Sequence, residues 1–400
     1  MNNETRKETQ VLPKDVRCVG ADDLTLSLFE NQYPVQPMGV SYNSYLILDE
    51  KIAVMDSVDA RAADEWLAKL AHELDGRSPD YLVISHMEPD HSGSILRLAE
   101  KYQEMKLVGN TKTFTMLRQF FGAKAPTDDR LLEVGEGETL PLGAHTLHFM
   151  LAPMVHWPEV MVAYEETEKL LFSADAFGRF GALSRTAGAP WAPQARRYYY
   201  NIVGKYGAQV QALLKKAAAL EIETICPLHG PVLTGEALGE ALRLYDLWSR
   251  WQSESPDDIL LAHASIHGNT ARAAELLKQK LEAKGARVTL CDLTTTEVSY
   301  AVANAFCCGK LVLACSTYDG GLFPPMEEFL SHLQAKGFRD RSVGLMENGS
   351  WAPAAARLMR AKLEEMKDLR VCGAVVSLRS ALSPASEAQM DALTTELCAK

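Results

Sequence analysis

Four hundred residues leave room for two or three domains at about 150 residues each, and 47% hydrophobic with 23% charged residues is ordinary globular usage, not that of a disordered or coiled-coil chain. Lys and Arg number 41 against 52 Asp and Glu, so a net charge of -11 supplies no chain-wide positive field for a nucleic-acid backbone. The opening MNNETRKETQ is polar, and no run of about 18 apolar residues follows, which excludes a secretory signal and a membrane span from the expectation. Eight cysteines, Cys18, Cys226, Cys291, Cys307, Cys308, Cys315, Cys372 and Cys398, contain no CxxC, so the chain is expected to be cytoplasmic with reduced thiols and no thiolate-paired metal module.

Taken in chain order, β-like runs SYLIL, KIAVMD, YLVIS, KLVG, HTLHFML and VMVAYE alternate with helical patterns at Ala60 to Glu73, Ser94 to Tyr102 and Val210 to Ala219. The mixture predicts two layers of sheet with flanking helices. A helix is predicted from Gly235 to Trp251, then the polar, proline-containing SESPDD, Ser253 to Asp258, marks a linker between residues 1–252 and 259–400. Beyond it the alternation is regular: ILLAHA, a helix from Asn269 to Lys284, RVTLC, a weaker helix, KLVLAC, a helix from Pro325, SVGLME, a helix from Pro353, VCGAVVS and a last helix. Five β-runs interleaved with five helices predict a doubly wound parallel sheet.

Directly after YLVIS comes HMEPDHSGS, which places His86, Glu88, Asp90 and His91 within six residues where a strand opens into a loop. His156 in APMVHWPE, Asp175 in LLFSADAFG and His229 in CPLHG each follow an apolar run. Four imidazoles and three carboxylates suffice for two metal ions about 3.5 to 4 Å apart, with a carboxylate such as Asp175 able to bridge them. Asp56, ending AVMD, is a candidate to orient a ligand imidazole. His72, His145, His148, His263 and His332 are expected to be structural.

In the second half SIHGNT supplies Ser265, Ile266, His267, Gly268, Asn269 and Thr270 at the opening of a helix, where hydroxyls, an amide and free backbone N–H groups suit a terminal phosphate. His267 falls beside that phosphate by position. Two further loops, STYDGGLFPP with Ser316, Thr317, Tyr318, Asp319 and Gly320, and ENGSWAP with Asn348, Gly349, Ser350 and Trp351, follow the third and fourth strands of the predicted sheet. Loops at that edge flank the switch point where a planar ring is sandwiched, which makes Tyr318 and Trp351 candidate ring contacts. Gly135 and Gly137 in VGEGETL lack the third glycine and the following helix of a dinucleotide fingerprint, so direct NAD binding is not expected and electrons should arrive from another protein.

The motifs from roughly Gly39 to His229 resemble the metallo-β-lactamase superfamily, with one departure. Its hydrolases carry HxHxDH, whereas Glu88 stands at the second ligand position here and adds negative charge and a harder donor, favouring iron over zinc. The chain from Asp258 to Lys400 resembles flavodoxin, which implies FMN. HxExDH with APMVHWPE, ADAFG and PLHG, followed by that second half, is similar to the flavodiiron proteins. The resemblance implies an N-terminal αββα metallo-β-lactamase-like sandwich followed by a flavodoxin-like domain. It also implies an oxidoreductase passing electrons through FMN to a non-haem diiron site that reduces O2 to water, NO to N2O, or both. By motif position His86, Glu88 and His156 would bind one iron, Asp90, His91 and His229 the other, and Asp175 would bridge them. Two ferrous ions and a reduced flavin together cover a four-electron reduction. A tyrosine of RRYYYNI, Arg196 to Ile202, read as a strand, is a candidate for proton delivery with Trp157 nearby. A separate donor such as rubredoxin and a head-to-tail homodimer, or a dimer of dimers, are likewise implied. Zinc-dependent hydrolysis with a fused flavin domain and a flavin carrier or redox sensor are the alternatives.

Overall fold

The computed structural model describes residues 12–399, which form two compact units dividing between Asp246 and Leu247. The polar opening MNNETRKETQ lies outside the described residues. Among the described residues no helix is long and apolar enough to cross a membrane.

The first unit is built on two six-stranded sheets. One runs, in spatial order, Val16–Cys18, Tyr45–Ile47, Ala53–Met55, Tyr81–Val83, Lys106–Gly109 and Leu131–Glu133, antiparallel over its first three strands and parallel thereafter. The other runs Thr139–Pro141, Thr146–Leu151, Met161–Glu165, Leu170–Phe172, Thr224–Cys226 and Leu233–Thr234, with one parallel pair, Leu170–Phe172 against Thr224–Cys226. The inward faces share one core, in which Tyr45, Met55 and Val83 meet Phe149, Met161 and Phe172. Burying each such side chain contributes about 1.5–3 kcal/mol, which holds the sheets face to face and fixes the loops at their ends. The amphipathic helices Ala63–Leu74, Thr111–Phe121 and Gly207–Ala217 bury Trp66, Leu70, Phe114, Leu117, Val210 and Leu213 and leave their charged faces to solvent.

The second unit carries five parallel strands in the order Val288–Asp292, Ser255–Ala264, Cys308–Tyr318, Arg341–Asn348 and Leu369–Leu378. In sequence numbering that order is 2-1-3-4-5, the flavodoxin-like doubly wound arrangement. Helices Asn269–Glu282, Val298–Cys307, Pro324–Ala335, Ala355–Glu364 and Pro384–Cys398 connect and follow the strands, and Leu277, Leu281, Leu393 and Leu397 pack on Ile259, Val312 and Val376.

Two local features differ from the sequence reading. The SESPDD stretch does not stand apart as a linker. Ser255–Asp258 already belong to the first strand of the parallel sheet, where Ser255 pairs with Cys308 ahead of a register shift before Ile259. The polar residues there mark the exposed start of a strand. The Tyr-rich segment is helical: Ala192–Tyr198 is an α-helix opened by Pro193 and continues into a π-helical turn, Tyr199–Val203. Aromatic β-propensity gives way because Tyr198, Tyr199 and Tyr200 are all buried, and tertiary packing outweighs an intrinsic preference.

Candidate functional site

Strand Tyr81–Val83 ends, and the chain turns through Ser85 and His86 into the four-residue helix Pro89–Ser92. Glu88 precedes that helix without using its side chain as a cap, which leaves the carboxylate free, and Asp90 and His91 lie on the helix itself. Asp175 follows strand Leu170–Phe172, and His229 follows Thr224–Cys226. His156 lies between Thr146–Leu151 and Met161–Glu165. Non-glycine residues Met154, Ala174 and Phe177 adopt left-handed backbone with φ of 65°, 49° and 66°, each within two residues of one of these donors. Such positions cost about 1 kcal/mol or more and persist only where the surroundings impose them. Gly230, next to His229, has φ of 83°, and a Cβ there would lie 2.7 Å from Arg179 Cγ, so only glycine fits.

All seven sequence-predicted donors come together, in two groups. In the first, His156 Nε2 is 3.0 Å from Glu88 Oε2 and 3.0 Å from Asp175 Oδ2, while His86 Nε2 is 3.3 Å and 3.5 Å from the same two oxygens. In the second, Asp90 Oδ2 is 3.3 Å from both His91 Nε2 and His229 Nε2, and Asp175 Oδ1 is 3.3 Å and 3.7 Å from those nitrogens. Donor atoms bound at 2.0–2.2 Å to one ion sit roughly 3.0–3.5 Å from one another, so both groups have the dimensions of a metal site. Asp175 turns one oxygen to each group.

Hydrogen bonding fixes the direction of the imidazoles. His229 Nδ1 donates to the Ser41 carbonyl at 2.7 Å, which leaves the Nε2 lone pair facing His91 Nε2 3.0 Å away. His86 Nδ1 donates to Glu159 Oε1 at 2.8 Å, and the Met87 N–H reaches the same oxygen at 2.8 Å. Asp56, expected to orient an imidazole, instead accepts the backbone N–H of Ser85 at 2.7 Å and holds the loop. Glu159 is the carboxylate that orients the His86 ring. Its one sequence signal is its place three residues after His156 in HWPE. Among the described residues, Asp90 Oδ1 and Oδ2, Asp175 Oδ1 and His91 Nδ1 are buried without a hydrogen-bond partner. Buried, unpaired carboxylate oxygens aimed at imidazole nitrogens fit a pair of cations in the pocket.

The electrostatics agree. Burial opposes charge on the imidazoles, but Asp175, Glu159 and Glu88 hold His86 well above its ordinary pKa, and bonds to Asp175 and Glu88 push His156 up to about 9. Burial likewise opposes ionisation of Asp175, yet His86, His156 and His91 keep it well below the usual carboxylate range. The pocket is therefore a sink for positive charge. Tyr198 of the Tyr-rich segment is fully buried with its ring 5.5 Å from that of His229, and its hydroxyl has no hydrogen-bond partner among the described residues. Burial, then Asp175, raises its pKa well above the phenol value, so it stays protonated. Trp157 lies edge-on to His86 at 5.3 Å. His145 and His148 pair with Asp49 and Glu166 and take no part in the cluster.

In the second unit the predicted loops meet at the carboxyl edge of the sheet. Gly268, with φ of 86°, precedes helix Asn269–Glu282, whose first turn has no side-chain cap, so its N–H groups stay available to an anion. The Gly268 N–H is held by Ser265 Oγ at 3.1 Å. Thr270 Oγ1 lies 2.9 Å from Ser316 Oγ and accepts from Asn348 Nδ2 at 3.3 Å, joining the three loops. Thr317 Oγ1 accepts the N–H groups of Ala354 and Ala355, tying the second loop to the third. Gly349 packs against Pro353, while Asp319 and Gly320 turn with positive φ. Ile266, Tyr318 and Trp351 are exposed, Trp351 at 88%. His267 and Ser350 lie on the same loops, Ser350 bonded to Ser380 Oγ at 2.8 Å. Ser380 belongs to a fourth loop that the sequence reading missed: its backbone exchanges hydrogen bonds of 3.1 Å with the Asn348 amide. The polar cradle and the exposed planar side chains fit a phosphorylated planar cofactor.

A two-sheet sandwich with seven converging potential metal donors, followed by a 2-1-3-4-5 sheet with a phosphate-type cradle, places the chain among two-domain proteins suited to hold metal and flavin. Residues 40–230 match the family described as ODP family beta lactamase. The rubredoxin-oxygen oxidoreductase of Megalodesulfovibrio gigas is 28% identical over 85% of each chain. The nitric oxide reductase of Moorella thermoacetica is 27% identical over 87% of this chain and 88% of its own. The crystal structure of the flavodiiron protein from Giardia intestinalis superposes over 97% of each chain with a TM-score of 0.86 and 25% identity. Within the class, the chain shares its fold and its sequence pattern with the flavodiiron proteins.

Proposed function

We propose that this chain is a flavodiiron reductase that takes electrons from a separate protein through FMN and uses two non-haem irons to reduce O2 to water, NO to N2O, or both. The observation that carries the reading is Asp175, which presents Oδ2 to His86 and His156 and Oδ1 to His91 and His229. His86, Glu88 and His156 would hold one iron, Asp90, His91 and His229 the other, and Asp175 both. A carboxylate in each group supplies the hard, anionic donors that favour iron, and Glu88 in place of an imidazole weighs against a zinc hydrolase. When bound, FMN would relay electrons one at a time to the irons, which would store and deliver them to the substrate.

The chain's own residues do the rest. Glu159 and the Ser41 carbonyl keep the His86 and His229 rings facing inward. Phe29 and Tyr198 lie against the His229 ring, at 5.4 Å and 5.5 Å, and exclude water from that side. The Tyr198 hydroxyl holds a proton that no acceptor among the described residues claims. In the second unit Ser265, Asn269 and Thr270 would take the FMN phosphate, with Tyr318 and Trp351 beside the ring.

A rubredoxin-type donor, a cytoplasmic setting and a head-to-tail homodimer complete the proposal. Mixing a chain unable to bind iron with one unable to bind FMN should restore activity if electrons cross between copies. The functional reading itself is tested by metal and flavin analysis of the purified protein. Two irons and one FMN per chain are expected, and a zinc-loaded, flavin-free protein with hydrolase activity would overturn it.

A further inference from the structure

A cavity of about 570 Å³ is lined by Phe29, Tyr42, Arg61, Glu88 and Asp90 among others, so it reaches one carboxylate of each donor group. Tyr42 ends strand Val40–Tyr42 and is fully buried. Its ring stands 6.3 Å from that of His91 and 6.0 Å from that of His229, edge-on to both. Its hydroxyl oxygen receives one hydrogen bond, from Arg61 Nη2 at 3.2 Å, and makes no other among the described residues. Arg61 is held by Asp59 through two bonds, Nε to Oδ1 and Nη2 to Oδ2, both 2.9 Å, while Asp23 Oδ2 lies 3.7 Å from Nη1. Asp59 also caps the turn that carries Arg61.

A guanidinium donates and never accepts. Its N–H therefore occupies a lone pair of the Tyr42 oxygen, and the single phenolic hydrogen must point elsewhere, with no protein acceptor to receive it. We propose that Arg61, clamped by Asp59, orients the Tyr42 hydroxyl hydrogen into the cavity, where it donates to a small anionic molecule bound beside the two donor groups. Tyr42 is then a hydrogen-bond donor to the bound ligand, and Arg61 is a positioning residue acting through it. The proposal rests on the diiron reading above and concerns residues outside the seven-donor set.

The test uses azide, a small anion that binds without turnover, on the oxidised iron-loaded protein. Tyr42→Phe keeps the ring and its packing but removes the donor. It should weaken azide binding about 10- to 100-fold and shift the azide-to-iron absorption band, with two irons per chain retained. Arg61→Met should weaken azide binding by a smaller factor, Arg61→Lys should recover part of that loss, and the Tyr42→Phe/Arg61→Met pair should bind azide as Tyr42→Phe alone does. Unchanged azide affinity in iron-replete Tyr42→Phe overturns the proposal. So does loss of iron from Tyr42→Phe, which would make the residue structural, or multiplication of the two single effects, which would show Arg61 acting independently. A wild-type protein that holds no metal pair defeats the functional reading instead.

Discussion

Replacing Glu159 with Gln isolates the part that ligand orientation plays in the metal site. Glu159 is buried, and its Oε1 accepts from both His86 Nδ1 and the Met87 N–H at 2.8 Å, while Oε2 has no partner among the described residues. A glutamine can keep the accepting oxygen but loses its charge, turning a charge-assisted hydrogen bond worth about 1.5–3 kcal/mol into a neutral one of about 0.5–1.5 kcal/mol. It also puts an NH2 where the unpartnered Oε2 lies. The loss of about 1 to 1.5 kcal/mol falls on His86, so affinity for a metal beside it should drop roughly 5- to 10-fold, at the low end of the scale for such outer partners. Glu159→Leu goes further, because it strands the His86 Nδ1–H and the Met87 N–H, and thermal stability of the metal-free protein should fall as well. Metal retention against a competing chelator, with thermal unfolding measured in parallel, reads both effects. Wild-type metal retention in Glu159→Gln would refute the assignment of Glu159 as the orienting carboxylate.

Asp175→Ala should remove the shared carboxylate, lower iron occupancy and abolish reductase activity while FMN stays bound; iron and flavin analysis of the variant checks this, and full activity with two irons would contradict it. Glu88→His recreates the hydrolase pattern and should raise the zinc-to-iron ratio while reducing activity, which metal analysis with an O2 and NO assay measures. Metal binding should be strongly pH-dependent. Burial opposes charge on His156, but Asp175 and Glu88 raise its pKa to about 9, so below that pH the metal must displace a proton and affinity should climb with pH toward about 9. Release of at least one proton on loading at pH 7, followed with an indicator dye, is the expected result, and release of none would contradict it. Asn269→Ala with Thr270→Ala should weaken FMN retention and leave the metals in place, as flavin absorbance and metal content would report.

The candidate metal site is legible because six consecutive residues, His86 to His91, carry four of its potential donors, while Asp175 and His229 each lie three residues past a strand and His156 five residues past another. Local spacing and strand-end position are sequence properties. Glu159 was not legible as an orienting group: it meets His86 across 73 residues, through a turn that only the packed sandwich creates. Asp56 drew attention through the same strand-end rule, yet its carboxylate serves backbone N–H groups. The helical course of Tyr198 and its neighbours was hidden by aromatic β-propensity, and the strands of two or three residues between Val16 and Tyr42 are too short to show a period. In the second unit the regular alternation exposed the sheet and three of its loops. Ser380 escaped because its role is a backbone exchange with Asn348 and leaves no side-chain signature.

In the proposed function, electrons held by flavin reach a dinuclear iron site and leave on O2 or NO. Mixing anaerobically reduced protein with O2, or with NO, in a stopped-flow instrument tests it most directly. Rapid flavin reoxidation is expected, yielding water without free peroxide from O2, or N2O from NO, and it should be lost in Asp175→Ala. Flavin reoxidation at the same rate in that variant, with hydrogen peroxide released, would place the reaction at the flavin alone and contradict the account.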